Sequence, residues 1–174
     1  MRDLKEYFWT IPIFGIIICT IAFLTPAAVF ENPQWNHTIV RWIWGLYYDE
    51  LISIYDESVT IEIGFYDNPF QLLISIISSV IIIICIIMAS VPIYRQRTDI
   101  KNVLTKPTTS LIPAILIIIS MSSWMIVMEI AEFEIYNLSM WNRYIPIFGV
   151  VGMFIGAGLI IVGYFINKKR HLKS

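Results

Sequence analysis

The sequence predicts a membrane all-α fold: a left-handed bundle of four transmembrane helices, with a small antiparallel extracellular β-sheet between helices 1 and 2. Three observations predict it. Four long apolar runs occupy most of the chain, its basic residues gather on one side of those runs, and the stretch between the first two runs is aromatic and alternating. The 174 residues are 57% hydrophobic and 14% charged, with mean hydropathy +0.73. That balance leaves too little polar surface for a water-soluble globule, so lipid is the expected solvent.

The runs extend from Tyr7 to Phe30, Asn68 to Tyr94, Pro107 to Met128 and Tyr144 to Asn167. Each exceeds the roughly 20 residues that carry a helix across the hydrocarbon core. Helices are therefore expected at about 7–30, 70–94, 108–131 and 144–167, within a single domain of residues 1–174. The intervening loops are 31–69 and 132–143 outside and 95–107 inside. Thr25-Pro26-Ala27 offers small residues suited to signal cleavage. The apolar stretch is nevertheless longer than a signal core and the charges before it are mixed, so the first run is read as a retained helix.

Orientation follows from the twelve Lys and Arg residues. Arg2, Lys5, Arg95, Arg97, Lys101, Lys106, Lys168, Lys169, Arg170 and Lys173 flank one side, and only Arg41 and Arg143 lie on the other. Positive residues are retained inside, so the chain is expected to be a multi-pass protein of the cell membrane with both termini cytoplasmic. The outer side holds Glu31, Asp49, Glu50, Asp56, Glu57, Glu62, Asp67, Glu132 and Glu134. A formal net charge of -1 conceals this asymmetry.

Small residues recur at helical spacing: Gly15, Cys19, Ala22 and Pro26; Ser75, Ser78, Cys85 and Ala89; Ser120 and Ser123; Gly149, Gly152, Gly156 and Gly163. Helices in lipid gain nothing hydrophobic by touching, so they pack where small side chains let backbones approach. Gly152 and Gly156 form a GxxxG pair, which serves either packing within the bundle, the favoured reading, or association between molecules. Cys19 and Cys85 read as small buried apolar residues. The repeated Ile-Pro-Ile-Phe-Gly at 11–15 and 145–149 reads as coincidence in an Ile-rich chain.

In the outer loop, Thr38 to Tyr48 and Ser58 to Tyr66 are rich in β-branched and aromatic residues, the second alternating Val59, Ile61, Ile63 and Phe65 with polar or small ones. Two strands are expected there, with a short third through Leu51 to Tyr55. The loop aromatics Trp35, Trp42, Trp44, Tyr47 and Tyr48 fit an interfacial aromatic belt and equally fit anchors for another protein. Asn36-His37-Thr38 and Asn137-Leu138-Ser139 are glycosylation sequons, and both fall in loops assigned outside.

Enzyme signatures are missing. There is no CxxC, no His-Glu-x-x-His, no Gly-rich phosphate loop and no nucleophile triad at membrane depth. No metal or cofactor site is expected. Glu129, the acidic residue nearest the outer end of the third helix, is a candidate cation site, although a glutamate there also reaches headgroups and water.

Taken together, four spans with inner termini, a long first outer loop with strands and a short second one resemble the claudin superfamily, which includes claudins, the peripheral myelin protein group and calcium-channel gamma subunits. Trp35 stands for the family's early loop tryptophan, Gly45-Leu46-Tyr47 for its Gly-Leu-Trp, and Phe65-Tyr66-Asp67 for the Val-Tyr-Asp that often precedes the second helix. The signature loop cysteines are replaced by Glu50 and Ile63, and Tyr47 stands in place of tryptophan. The resemblance implies a non-enzymatic protein acting by lateral assembly, adhesion or modulation of other membrane proteins. Its expected contact surface is Trp35, Trp42, Trp44, Gly45, Leu46, Tyr47, Tyr66 and Asp67. Expected partners are the lipid bilayer and either itself or other membrane proteins, as homo-oligomer or complex subunit, with no nucleic acid. The competing reading is a small cation channel or transporter subunit using Glu129, or an accessory subunit of a membrane enzyme complex.

Overall fold

The computed structural model describes residues 10–53, 55–56, 58–97, 110–137 and 139–171. Arg2, Lys5, Lys101, Lys106 and Lys173, with most of the expected inner loop and the start of the first expected helix, lie outside the described residues.

Helix α1 (Thr10–Leu24) ends at Leu24 rather than at Phe30. Proline disfavours helical geometry in the residue before it, so Thr25-Pro26 closes the helix. The apolar residues that follow find strand partners instead. β1 (Ala28–Asn32) pairs antiparallel with β2 (His37–Arg41), setting Val29 opposite Val40 and Phe30 opposite Ile39.

β3 (Leu46–Ile52) and β4 (Val59–Phe65) complete a meander. The strand expected over Thr38 to Tyr48 is two strands, because a turn at Trp42–Gly45 reverses the chain. Gly45 adopts φ +94, a region that glycine enters without steric cost. Trp42 N–H donates to the Leu46 carbonyl at 2.9 Å and Gly45 N–H to the Trp42 carbonyl at 3.1 Å. A Cβ at Gly45 would also sit 3.0 Å from Leu72 Cδ1. The short strand expected at Leu51 to Tyr55 is not separate: Leu51 and Ile52 end β3, and Ser53 N–H closes the hairpin onto the Ser58 carbonyl at 2.8 Å.

A fifth strand was not expected. β5 (Ile145–Pro146) lies where the sequence suggests the start of the fourth helix, and Ile145 pairs with Val29. The Ile-Pro-Ile-Phe-Gly echo is therefore helical at its first occurrence and extended at the start of its second. The sheet runs β4-β3-β2-β1-β5, antiparallel throughout.

The remaining helices are α2 (Pro69–Arg97), α3 (Leu111–Tyr136), the single-turn α4 (Met140–Arg143) and α5 (Phe148–His171). Asn68 caps α2, its Oδ1 accepting the Phe70 N–H at 2.9 Å. Segments Pro69–Val91, Leu111–Glu134 and Phe148–Ile166 are long and apolar enough to cross a membrane. α1, with 15 residues, spans about 22 Å at the α-helical rise, less than the roughly 30 Å of a hydrocarbon core.

α1 packs antiparallel along α5: Pro12 meets Gly163, Gly15 meets Gly156, and Ala22 meets Gly152. α2 packs on α3, where Trp124 Nε1 donates to Ser75 Oγ at 2.9 Å and Ser78 Oγ to the Ser120 carbonyl at 3.4 Å. α3 also packs on α5, and α1 on α2. Cys19, Ile82, Cys85, Met121, Trp124 and Met153 form the shared core, with both cysteines free. The C-terminal ends of α1 and α3 and the N-terminal ends of α2 and α5 all lie at the sheet.

The α1–α5 contact leaves no room for a methyl group. A Cβ at Gly156 would lie 2.6 Å from the Gly15 carbonyl oxygen and 2.5 Å from Cys19 Sγ, whereas one at Gly158 meets nothing within 4 Å. Gly156→Ala is expected to destabilise by about 1–3 kcal/mol through overpacking. Gly158→Ala is expected to be neutral or stabilising by up to about 1 kcal/mol. Thermal midpoints of the two variants in detergent check both.

Candidate functional site

Pairing register divides the sheet into two unlike faces. Residues alternate across a strand, so Phe30, Ile39, Asp49 and Glu62 share one face with Arg41 and Tyr47. This inner face looks onto the helix ends. It carries the charge: Arg41 from β2 reaches Glu132 in the last turns of α3, Nη1 to Oε1 2.5 Å, and Arg143 of α4 lies 3.8 Å from Glu132 Oε2. Glu132 is 1% exposed.

Aromatic rings surround the pair. The Arg41 guanidinium lies 4.6 Å from the Tyr144 ring centroid and 5.5 Å from that of Tyr66, and Arg143 lies 5.1 Å from that of Phe30. Burial opposes the charge of Arg41, but neighbouring Tyr144 and Glu132 outweigh it and hold its pKa above the ordinary arginine value. Burial likewise pushes the Tyr66 phenol up, with Arg41 partly offsetting the effect. Tyr66 donates its hydroxyl to the Trp42 carbonyl at 2.7 Å and its N–H to the Gly45 carbonyl at 2.9 Å, tying the β2–β3 turn to the root of α2.

The cluster borders a cavity of about 220 Å³. Gln71, Tyr66, Tyr144 and Glu132 form its buried floor, while Glu62 and Asp67 are exposed at its rim. Several floor groups have unmet hydrogen bonds. Arg41 Nε, Gln71 Nε2 and Glu132 Oε2 make none among the described residues, whereas Arg41 Nη1 is paired with Glu132 Oε1. On the same face, His37 Nε2 and Asp49 Oδ1 are 2.7 Å apart. Tyr47 donates to Glu62 Oε1 at 2.5 Å, which pushes its pKa up to about 12.

The outer face has an apolar row beside a mixed one of Glu31, Thr38, Glu50 and Ile61. Register aligns Ile145, Val29, Val40, Tyr48 and Ile63 in one row across all five strands. Beside it lie Ile61, Phe65 and Val59; Ile63 is 64% and Ile145 65% exposed. Glu50 and Ile63 are diagonal neighbours on this face.

Among the sequence-predicted residues, Trp42, Gly45 and Tyr66 interlock at the β2–β3 turn, with the Trp42 and Trp44 rings 6.2 Å apart. Tyr47 and Asp67 line the cavity, and Leu46 opens β3. Trp35 stands apart, exposed in the β1–β2 turn. Asn36 and Asn137 are exposed at left-handed positions, φ 44 and 54. Gly15, Gly152 and Gly156 lie in the α1–α5 contact, Gly149 packs on Pro26 and Ala27 between α1 and β1, and Ser78 lies in the α2–α3 contact. Glu129 Oε2 accepts the Trp141 N–H at 3.3 Å. Among the described residues, no group of three or more His, Cys, Asp or Glu is placed to hold a metal ion.

In the sequence, Arg41, Gln71, Arg143 and Tyr144 carry no site signature, and Glu132 stands only among the outer acids that the cation-channel reading joins to Glu129. One signal was available: Arg41 and Arg143 are the only basic residues on a side rich in acids. No protein-family model matches this chain, and comparison with curated proteins likewise gives no match.

Two outcomes follow from this geometry. Glu132→Ala leaves Arg41 buried without its anion and is expected to cost about 3–5 kcal/mol, measurable by denaturation in detergent. The Tyr47 phenol is expected to titrate near 12, above its ordinary value of about 10, and Glu62→Ala to bring it down. Because the folded pKa is raised, the stability from this bond is complete below about pH 10 and lost as pH rises through about 12. Phenolate absorbance, referenced to Tyr47→Phe, checks the midpoint.

Proposed function

We propose that this chain is a non-enzymatic, claudin-like protein that crosses the cell membrane four times. Its helices form a left-handed bundle, its termini are cytoplasmic, and its sheet lies outside. Three membrane-length helices and the end of all four long helices that faces the sheet support this topology. The clustering of basic residues toward the opposite end supports the orientation. α1 belongs to the fourth crossing of this reading.

Its function is lateral assembly with a second copy through the outer sheet. One observation carries this reading: β4 is a long, lightly protected edge strand with an exposed apolar face. Natural edge strands are blunted by shortness, proline, lysine or inward charge. β5, the opposite edge, is two residues long and contains Pro146. β4 has seven residues, no proline and no lysine, and keeps a single such device, the inward Glu62, whose carboxylate already accepts the Tyr47 hydroxyl. Its outward Val59, Ile61, Ile63 and Phe65 continue the apolar row. Burying one such side chain contributes about 1.5–3 kcal/mol, and β4 pairing with β4 across a two-fold axis would satisfy its outer backbone groups as well.

This moves the contact surface from the tryptophans expected by resemblance to β4. Trp42 and Tyr66 are occupied in holding the turn, which fits a structural role.

The paired variant Ile61→Glu/Ile63→Glu is expected to convert an oligomer into a monomer of unchanged thermal stability, since both side chains are exposed. Native mass measurement in mild detergent and crosslinking in the bilayer test it. A wild-type chain that is monomeric in both, or an oligomer indifferent to the two charges, overturns the reading. A stoichiometric foreign subunit lost in the same variant would replace self-assembly with an accessory role.

A further inference from the structure

The cavity between the sheet and the ends of α2 and α3 has an uneven charge distribution with depth. Its floor holds two guanidinium groups, Arg41 and Arg143, against the single carboxylate of Glu132. Its upper wall and rim hold Asp49, Glu62 and Asp67, while both basic lining residues, Arg41 and Arg143, stand beside Glu132. Asp49 is engaged by His37, and Glu62 by the Tyr47 hydroxyl. The Asp67 carboxylate makes no hydrogen bond or ion pair with the described residues.

The floor has unmet donors. Arg41 Nε and Gln71 Nε2, on two residues, have no acceptor among the described residues, and Gln71 is 4% exposed. Buried polar groups in folded proteins are nearly always partnered by protein, water or ligand. The unmet acceptor Glu132 Oε2 faces Arg143 and is screened by it.

We propose that this cavity binds an aminoalkyl phosphate, with its phosphate oxygens on Arg41 and Gln71 and its ammonium at Asp67 and Glu62. A tetrahedral oxyanion presents acceptors to donors converging from two residues, and guanidinium is suited to phosphate. Tyr47, which lines the cavity beside Glu62, gives the ammonium an aromatic face as well as carboxylates. The volume suits one such group: about 220 Å³ corresponds to roughly seven waters at about 30 Å³ each.

Two sources offer this chemistry, a phosphoethanolamine lipid headgroup and the free zwitterion. Gln71 lies in the first turn of α2 and Glu132 in the last turns of α3, the depth at which headgroups meet apolar helices. The lipid source rests on the four-span reading, whereas binding of the soluble compound does not.

The test uses the full chain purified in maltoside and in nanodiscs. Phosphoethanolamine is expected to raise the thermal midpoint in detergent and to bind at least tenfold more tightly than ethanolamine or inorganic phosphate alone. Asp67→Asn, at the exposed rim, and Gln71→Leu, on the floor, are each expected to weaken it at least tenfold. Phosphatidylethanolamine retained in native mass spectra, in preference to phosphatidylglycerol, identifies the lipid source; stabilisation by the soluble compound without lipid preference identifies the free one. Equal binding of ethanolamine alone reduces the cavity to a cation site, and equal binding of phosphate alone to an anion site. Either result, or no response to any of these probes in the wild type, overturns the proposal.

Discussion

The buried contact between Arg41 and Glu132 is the constraint on which the architecture turns. Arg41 sits at the end of β2 and Glu132 near the end of α3. Joining them fixes the height and rotation of the sheet over the helix ends. Its desolvation makes the pair a weak source of net stability but an expensive one to break, because either partner left alone is a buried charge. Specificity of docking is therefore its principal effect. Tyr66, Tyr144 and the β2–β3 turn then assemble around the guanidinium.

That arrangement inverts the usual economy of a sheet packed on one side. An antiparallel sheet normally turns its apolar face to the core and its polar face to water. Here the inner face receives ions, tyrosines and a cavity, while Ile145, Val29, Val40, Tyr48 and Ile63 face outward. The helices can tolerate this because their own contacts are made elsewhere, by the glycines of α1 and α5 and the serine and tryptophan contacts of α2 and α3. The outward apolar row and the inward charged cavity are thus two consequences of one register. A shift by one residue would exchange them.

Much of the helical part was legible in the sequence. Runs rich in Ile and Val without charges identified α2, α3 and α5, and the small-residue stripe of Gly15, Cys19 and Ala22 identified the surface that meets α5. The β2–β3 turn was partly legible, since Gly45 stood between aromatic residues, yet Thr38 to Tyr48 was read as one strand because no side-chain pattern announces a reversal that depends on φ +94. The cavity was hardly legible. Arg41 and Arg143 were visible as isolated basic residues, but Gln71 and Tyr144 have no local signal, and only the fold brings them to Glu132.

The sequence by itself determined where helices can persist, because a helix satisfies its backbone hydrogen bonds within its own segment and needs only a long apolar run to lie in lipid. It also determined the asymmetry of charge between the two ends. Tertiary structure alone decided where those runs stop. Val29, Phe30 and Ile145 are as apolar as the helical residues near them, and they became strand because Val40, Ile39 and one another were in place to complete the ladder. A strand's hydrogen bonds belong to distant segments, so hydropathy along the chain could not distinguish those ends from the helices they adjoin.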